Sequence, residues 1–181
     1  MSSFTDYHAH FVYGVDDGAC TREEMFAMLY TPAASYAAEE RSLITLGGTD
    51  WVLLEFVPDV TPDEVEAALQ QFTRCGYRVL LAHIERYPRL ARSGALPRLK
   101  EQYGIRCQVN AATVLDGGFF QRRRLDRWLK EGIVDAISSD AHNCSTRCTR
   151  MRPAYERLYA SLGQQGTDAL FSGNGVSLLK D

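Results

Sequence analysis

The chain has 181 residues, 45% hydrophobic and 24% charged, enough for one domain (read as 1–181) with a core of its own and a squeeze for two. Its 20 basic and 23 acidic side chains leave a net charge of −3, so no global basic field invites nucleic acid or an anionic membrane. No apolar run approaches the roughly 20 residues that membrane insertion requires, and five irregularly spaced cysteines behind no apolar leader point to reduced thiols and a cytoplasmic protein.

Residues 4–8 read as a strand. His8 and His10, one residue apart, place both imidazoles on one face of it. The turn Gly14-Val15-Asp16-Asp17-Gly18 follows, which sets Asp17 on a loop able to fold back over an ion. Thr21 and Glu24 have capping-box spacing ahead of Met25, Phe26, Met28 and Leu29, so a helix is expected over 22–29. Residues 30–41 show neither clean alternation nor a full helical stripe. The apolar run 51–56, bounded by Gly48 and Pro58, reads as a buried strand with one embedded acid, Glu55.

Thr61-Pro62-Asp63-Glu64 opens a helix whose inner stripe is Val65, Ala68, Leu69 and Phe72, and Cys75-Gly76 closes it. The run 77–82 reads as a strand that delivers His83 at its C-terminal end. A helix over 96–103, a strand over 105–109, a helix over 125–131 stopped by Gly132 and a strand over 133–138 come next, with Asp140 and His142 just beyond. Arg122, Arg123, Arg124 and Arg127 read as a solvated helix face. Residues 151–162 and 167–179 are helical in pattern.

Strands alternating with helices indicate an α/β fold with a parallel sheet or barrel and crossover helices. His8, His10, Glu55, His83, Asp140 and His142 then all lie at or just past the C-terminal ends of strands, the edge where α/β barrels place their chemistry. All four histidines of the chain are in this set. Imidazole and carboxylate ligands without thiolates suit manganese, iron or zinc, and such ions lower the pKa of bound water toward neutrality. Hydrolysis of a phosphate ester is the natural reaction, with Arg86 and Arg147 placed to bind phosphate oxygens. Two lesser patterns share the same loop: Cys144 and Arg150 are spaced C-x5-R, as in cysteine phosphatases, and His142, Cys144 and Cys148 form a partial zinc set.

The runs DYHAHFVYGVDDG, WVLLEF, LAHIERYP and ISSDAHNCSTR resemble, in order, the motifs of bacterial metal-dependent protein-tyrosine phosphatases of the polymerase-and-histidinol-phosphatase (PHP) superfamily, encoded with capsule and exopolysaccharide genes. The resemblance implies a distorted TIM-like (β/α) barrel with up to three divalent ions, most often manganese. By position, His8, His10 and Asp140 hold a first ion, Glu55 and His83 a second, and Asp17 and His142 a third. Arg86 and Arg147 match the phosphate-binding arginines, and the implied substrate is phosphotyrosine on the tail of a tyrosine autokinase.

The chain departs from that pattern over 30–45, where family members are longer. A ligand histidine expected after a Thr-Pro pair is replaced by Ala33, and the one candidate for a bridging glutamate, Glu39, reads rather as a solvated linker residue. The barrel is therefore expected to lack one or two strands, leaving an edge that a homo-oligomer would cover. The dinuclear centre is expected to be weakened. A family member acting as a binding or regulatory protein, and a phosphatase of small phosphomonoesters, are the alternatives.

Overall fold

A computed structural model of the chain describes residues 6, 8, 43, 45, 46, 49–141 and 148–171. In it the apolar runs become two βαβ motifs, one in each of two units: Val12–Arg106, and Met1–Phe11 with Cys107–Asp181. The helix expected over 22–29 lies outside the described residues. So does most of the strand expected over 4–8, of which Asp6 and His8 are described and lie outside any strand.

In the unit Val12–Arg106, β1 (Trp51–Leu54) pairs in parallel with β2 (Arg78–Leu81), with Trp51 opposite Arg78 and Leu54 opposite Leu81. Every residue of β1 is buried, as an unbroken apolar run predicts for a strand covered on both faces. Between the two strands runs α1 (Pro62–Arg74). Thr61 caps it, accepting from the Glu64 N–H while Glu64 accepts from the Thr61 N–H, and Pro62 occupies the first turn, where a missing N–H costs nothing. The expected stripe of Val65, Ala68, Leu69 and Phe72 is the face it buries, packed against β2.

Beyond β2 come a 3-10 turn (Ile84–Arg86), α2 (Pro88–Ser93) and α3 (Ala95–Tyr103). Arg98 on α3 grips the Glu66 carboxylate of α1 with both terminal nitrogens, at 2.7 and 2.6 Å, and this holds Glu66 below the usual carboxylate range. The sequence reading contained α3 but not α2, whose six residues are too few to show a period.

In the other unit β3 (Arg106–Asn110) runs parallel to β4 (Ala136–Ser138), with Gln108 opposite Ala136 and Asn110 opposite Ser138. Two helices connect them, α4 (Ala111–Asp116) and α5 (Phe119–Lys130). The turn between them needs Gly117, where an added Cβ would sit 2.5 Å from the Thr113 carbonyl oxygen.

Helix α5 begins six residues earlier than the expected 125–131. Its first turn carries no buried apolar side chain and is held by the Gln121 side chain accepting from the Gly118 N–H. Strand β4 is shorter than the expected 133–138: at Asp135 the N–H still donates to the Cys107 carbonyl at 2.8 Å, but the Cys107 N–H is taken by the Asp135 carboxylate, also at 2.8 Å, and not by a backbone carbonyl. Met151–Phe171, α6, packs on β4 and α4 and breaks at Gly163 (φ 67°), as the two separate helical patterns anticipated. The remainder of the second pattern lies outside the described residues.

Phe72 is 1% exposed and fills the space between α1 and β2. Phe72→Ala is expected to lower unfolding stability by about 3–5 kcal/mol, read from the midpoint of urea denaturation at unchanged slope. A loss below about 1 kcal/mol would show that the site collapses around the smaller side chain.

Candidate metal centre

Parallel pairing brings the ends of neighbouring strands together, and in each unit the residues just past those ends are ligand types. In the unit Val12–Arg106 the ladder closes with the Ala82 N–H donating to the Leu54 carbonyl, so Glu55 and His83 follow side by side. Glu55 Oε1 and His83 Nε2 lie 2.7 Å apart, with His83 almost wholly buried and Glu55 half-buried. Tyr87 braces the pair. Its ring packs against the His83 ring at 5.5 Å, and its hydroxyl accepts from the Phe56 N–H at 3.0 Å. Burial, reinforced by the neighbouring Glu55 and Glu85 charges, pushes the Tyr87 phenol far above its ordinary pKa and keeps it neutral. Arg86 closes the 3-10 turn that starts from His83 and is exposed.

In the other unit His8 and Asp140 meet, with His8 Nε2 3.5 Å from Asp140 Oδ1 and both side chains buried. The rest of each side chain is held by a chain of amides on β3. Asn110 Nδ2 donates to Asp140 Oδ2 at 2.8 Å, Gln108 Nε2 donates to Asn110 Oδ1 at 2.8 Å, and Gln108 Oε1 lies 3.4 Å from His8 Nδ1. An ionised carboxylate only accepts, so Asn110 must present its amide nitrogen, and each following group is set in turn. The last link makes His8 Nδ1 the donor to Gln108 Oε1 and turns Nε2 toward Asp140. Asp6 ties the strand ends: its Oδ1 accepts from the Ser139 N–H at 2.9 Å and from the His8 N–H at 3.3 Å.

The backbone marks the same two places. Among the described residues, His83 (φ 24°) and Asp140 (φ 49°) are the two non-glycine positions with positive φ. Such conformations cost about 1–3 kcal/mol each and persist where the surroundings over-determine them, most often at functional sites.

A metal fits the His8–Asp140 pair by spacing, whereas Glu55 and His83, 2.7 Å apart, are hydrogen-bonded to each other and fit one by the chemistry of their donors alone. Two ligand atoms each about 2.1 Å from one ion in a tetrahedral arrangement stand about 3.4 Å apart, close to the His8–Asp140 spacing of 3.5 Å. The amide on Nδ1 is the kind of outer partner that ligating histidines have.

Of the residues expected from sequence, the structure brings together His8 with Asp140 and Glu55 with His83, and sets Arg86 beside His83. His10, Asp17, Glu39, His142, Cys144 and Arg147 lie outside the described residues. Arg150, the arginine of the C-x5-R pattern, makes a bidentate ion pair with Asp116. Cys148, from the partial zinc set, is free and half-buried. Gln108 and Asn110 were missed, although a polar pair at i and i+2 inside a buried strand is the signal of one polar face.

Residues 28–180 match the family model described as capsular polysaccharide synthesis, CpsB/CapC. The chain belongs to this family. It is 27% identical over 162 residues to the tyrosine-protein phosphatase CpsB of Streptococcus agalactiae serotype V, an alignment covering 85% of this chain and 66% of that protein. To the tyrosine-protein phosphatase YwqE of Bacillus subtilis it is 25% identical, covering 70% of this chain and 50% of YwqE.

A solved structure described as from the work on YwqE and on CpsB of Streptococcus pneumoniae, unique metal-dependent tyrosine phosphatases, matches with TM-score 0.68 and 26% identity over 80% of this chain and 59% of its own. This CpsB/CapC chain thus spans just under two thirds of the length of the Streptococcus relatives. No helix among its described residues is long and apolar enough to cross a membrane.

Tyr87→Phe removes the partner of a buried amide without changing the ring. We expect a loss of about 1–3 kcal/mol in urea denaturation, because the buried Phe56 N–H loses the hydroxyl it donates to. An unchanged midpoint would show that the Tyr87 hydroxyl does not hold the Glu55–Phe56 backbone.

Proposed function

We propose that the chain, working as one PHP-type domain, is a metal-dependent phosphatase of protein phosphotyrosine, with a divalent ion held by His8 and Asp140 and another by Glu55 and His83. The observation that carries this is the placement of Glu55, His83 and Asp140 just past the ends of parallel strands, with His8 against Asp140 and one member of each pair in a positive-φ backbone. The names of the CpsB and YwqE relatives support the chemistry, and the distorted barrel expected from the sequence goes with it. His10 completes the first donor set in this assignment, and Asp17 and His142 supply a third. Manganese suits the carboxylate and imidazole donors, with iron or zinc as substitutes.

When bound, the ions supply a nucleophilic hydroxide at neutral pH and neutralise phosphoryl charge. The protein's own groups do the rest. Arg86, exposed next to His83, and Arg147 take the phosphate's outer oxygens through paired N–H donors. Asn110 and Gln108 hold the Asp140 carboxylate and the His8 ring so that one oxygen and one nitrogen are presented together. The substrate in this assignment is a tyrosine autokinase tail in the cytoplasm, and pairing of two copies would cover an incomplete sheet edge.

Metal content per chain by mass spectrometry, paired with para-nitrophenyl phosphate hydrolysis with and without manganese and chelator, tests this. We expect bound metal and chelator-sensitive turnover. His83→Ala and Arg86→Ala are each expected to lower kcat/KM by at least about 10²–10³-fold, and the first also to lower metal content. Full activity in both variants, or a metal-free chain with no turnover, would overturn the assignment, the second outcome leaving a binding protein.

The amide chain makes a separate prediction. Asn110→Leu is expected to weaken manganese binding to the metal-stripped protein by about 10–100-fold in a calorimetric titration, with circular dichroism unchanged. Unaltered affinity would show that Asp140 needs no such support.

A further inference from the structure

Strands β3 and β4 are parallel, so the connection between them leaves their C-terminal edge at Asn110 and returns through α4 and then α5. The first turn of α5 follows Asn110 by way of the six-residue α4 and the turn at Gly117. There Phe119 and Phe120 are 71% and 80% exposed, more than any other large hydrophobic side chain described. The two rings pack edge to face on each other at 5.5 Å. Their position is set by the tight turn at Gly117.

Behind them α5 carries four arginines and a lysine against the single acid Asp126, in a chain whose net charge is −3. Arg122, Arg123 and Arg127 are exposed, with Arg122 Nη2 donating to the Leu115 carbonyl, while Arg124 lies over the Trp128 ring at 5.8 Å. The result is an apolar aromatic tip with a cationic flank, which complements a chain that is both anionic and side-chain-bearing.

We infer that Phe119, Phe120, Arg122 and Arg123 form a docking surface for the polypeptide flanking the target phosphotyrosine, an acidic segment with apolar side chains. This rests on the phosphatase assignment and names what sets a protein substrate apart from a small phosphate ester. A bare ester has no flanking side chains to offer an apolar and cationic surface, whereas a peptide around the phosphotyrosine has. A lipid surface has similar chemistry and is one outcome of the test.

The test uses the full chain with manganese, a fluorescein-labelled phosphotyrosyl dodecapeptide with acidic and leucine flanks, and two variants, Phe119→Ser with Phe120→Ser and Arg122→Glu with Arg123→Glu. Both pairs are exposed, so the fold is expected to persist, as circular dichroism will check. In each variant we expect the peptide's Kd by fluorescence anisotropy, and its KM, to rise about tenfold or more, the loss typical of anchor residues. The KM for para-nitrophenyl phosphate should stay within about twofold.

Unchanged peptide affinity in both variants, or no peptide binding by the native chain, overturns the docking surface. Loss of binding to phosphatidylglycerol vesicles without loss of peptide binding overturns it in favour of a membrane contact. Failure of the native chain to hydrolyse either substrate overturns the phosphatase assignment instead, and anisotropy still decides the docking surface.

Discussion

The Asp140 carboxylate is the group on which the unit Met1–Phe11 with Cys107–Asp181 depends. A charge this deeply buried is tolerable only when its oxygens are occupied, and here one oxygen accepts from Asn110 while the other faces His8. Because the carboxylate cannot donate, it sets the orientation of Asn110, then of Gln108, and through Gln108 the tautomer of His8. The Asp140 N–H donating to the His8 carbonyl at 2.7 Å closes the loop through the backbone. The positive φ of 49° at Asp140, which aspartate tolerates better than most residues, is held by these bonds together.

The unit Val12–Arg106 solves the same problem with fewer polar groups. Glu55 and His83 satisfy each other directly, and the neutral phenol of Tyr87 fixes the chain on the far side of Glu55. The difference follows from exposure. Glu55 keeps one flank toward water, so it needs less internal support than Asp140, which has almost none. In both units the parallel ladder does the placing, because strands in register end together and whatever follows them converges.

Membership of the CpsB/CapC family and the donor pairs point the same way, but the chain is shorter than its relatives. The donor sets described here each draw on residues within one unit, and none of the four side chains comes from the stretch 30–45 where the departure falls.

What was legible in the amino-acid order is what local chemistry decides. Helix α1 was readable because a capping box, a proline at the first turn and a four-residue apolar stripe agree. The strands ending at Glu55 and His83 were readable as apolar runs, and the ligand types stood out because histidines are few. Other features had no local signature: α5 starts on two phenylalanines and three arginines, and Asp135 replaces a backbone bond with its side chain.

Gln108 and Asn110 are the clearest case. In sequence they are two polar residues in a strand, and their role comes from partners 100 positions away at His8 and 30 positions away at Asp140. Sequence alone determined which segments bury their faces and which side chains are able to bind a metal. Only the tertiary structure decided how those side chains are oriented, because orientation is set by hydrogen bonds between groups that the chain brings together last.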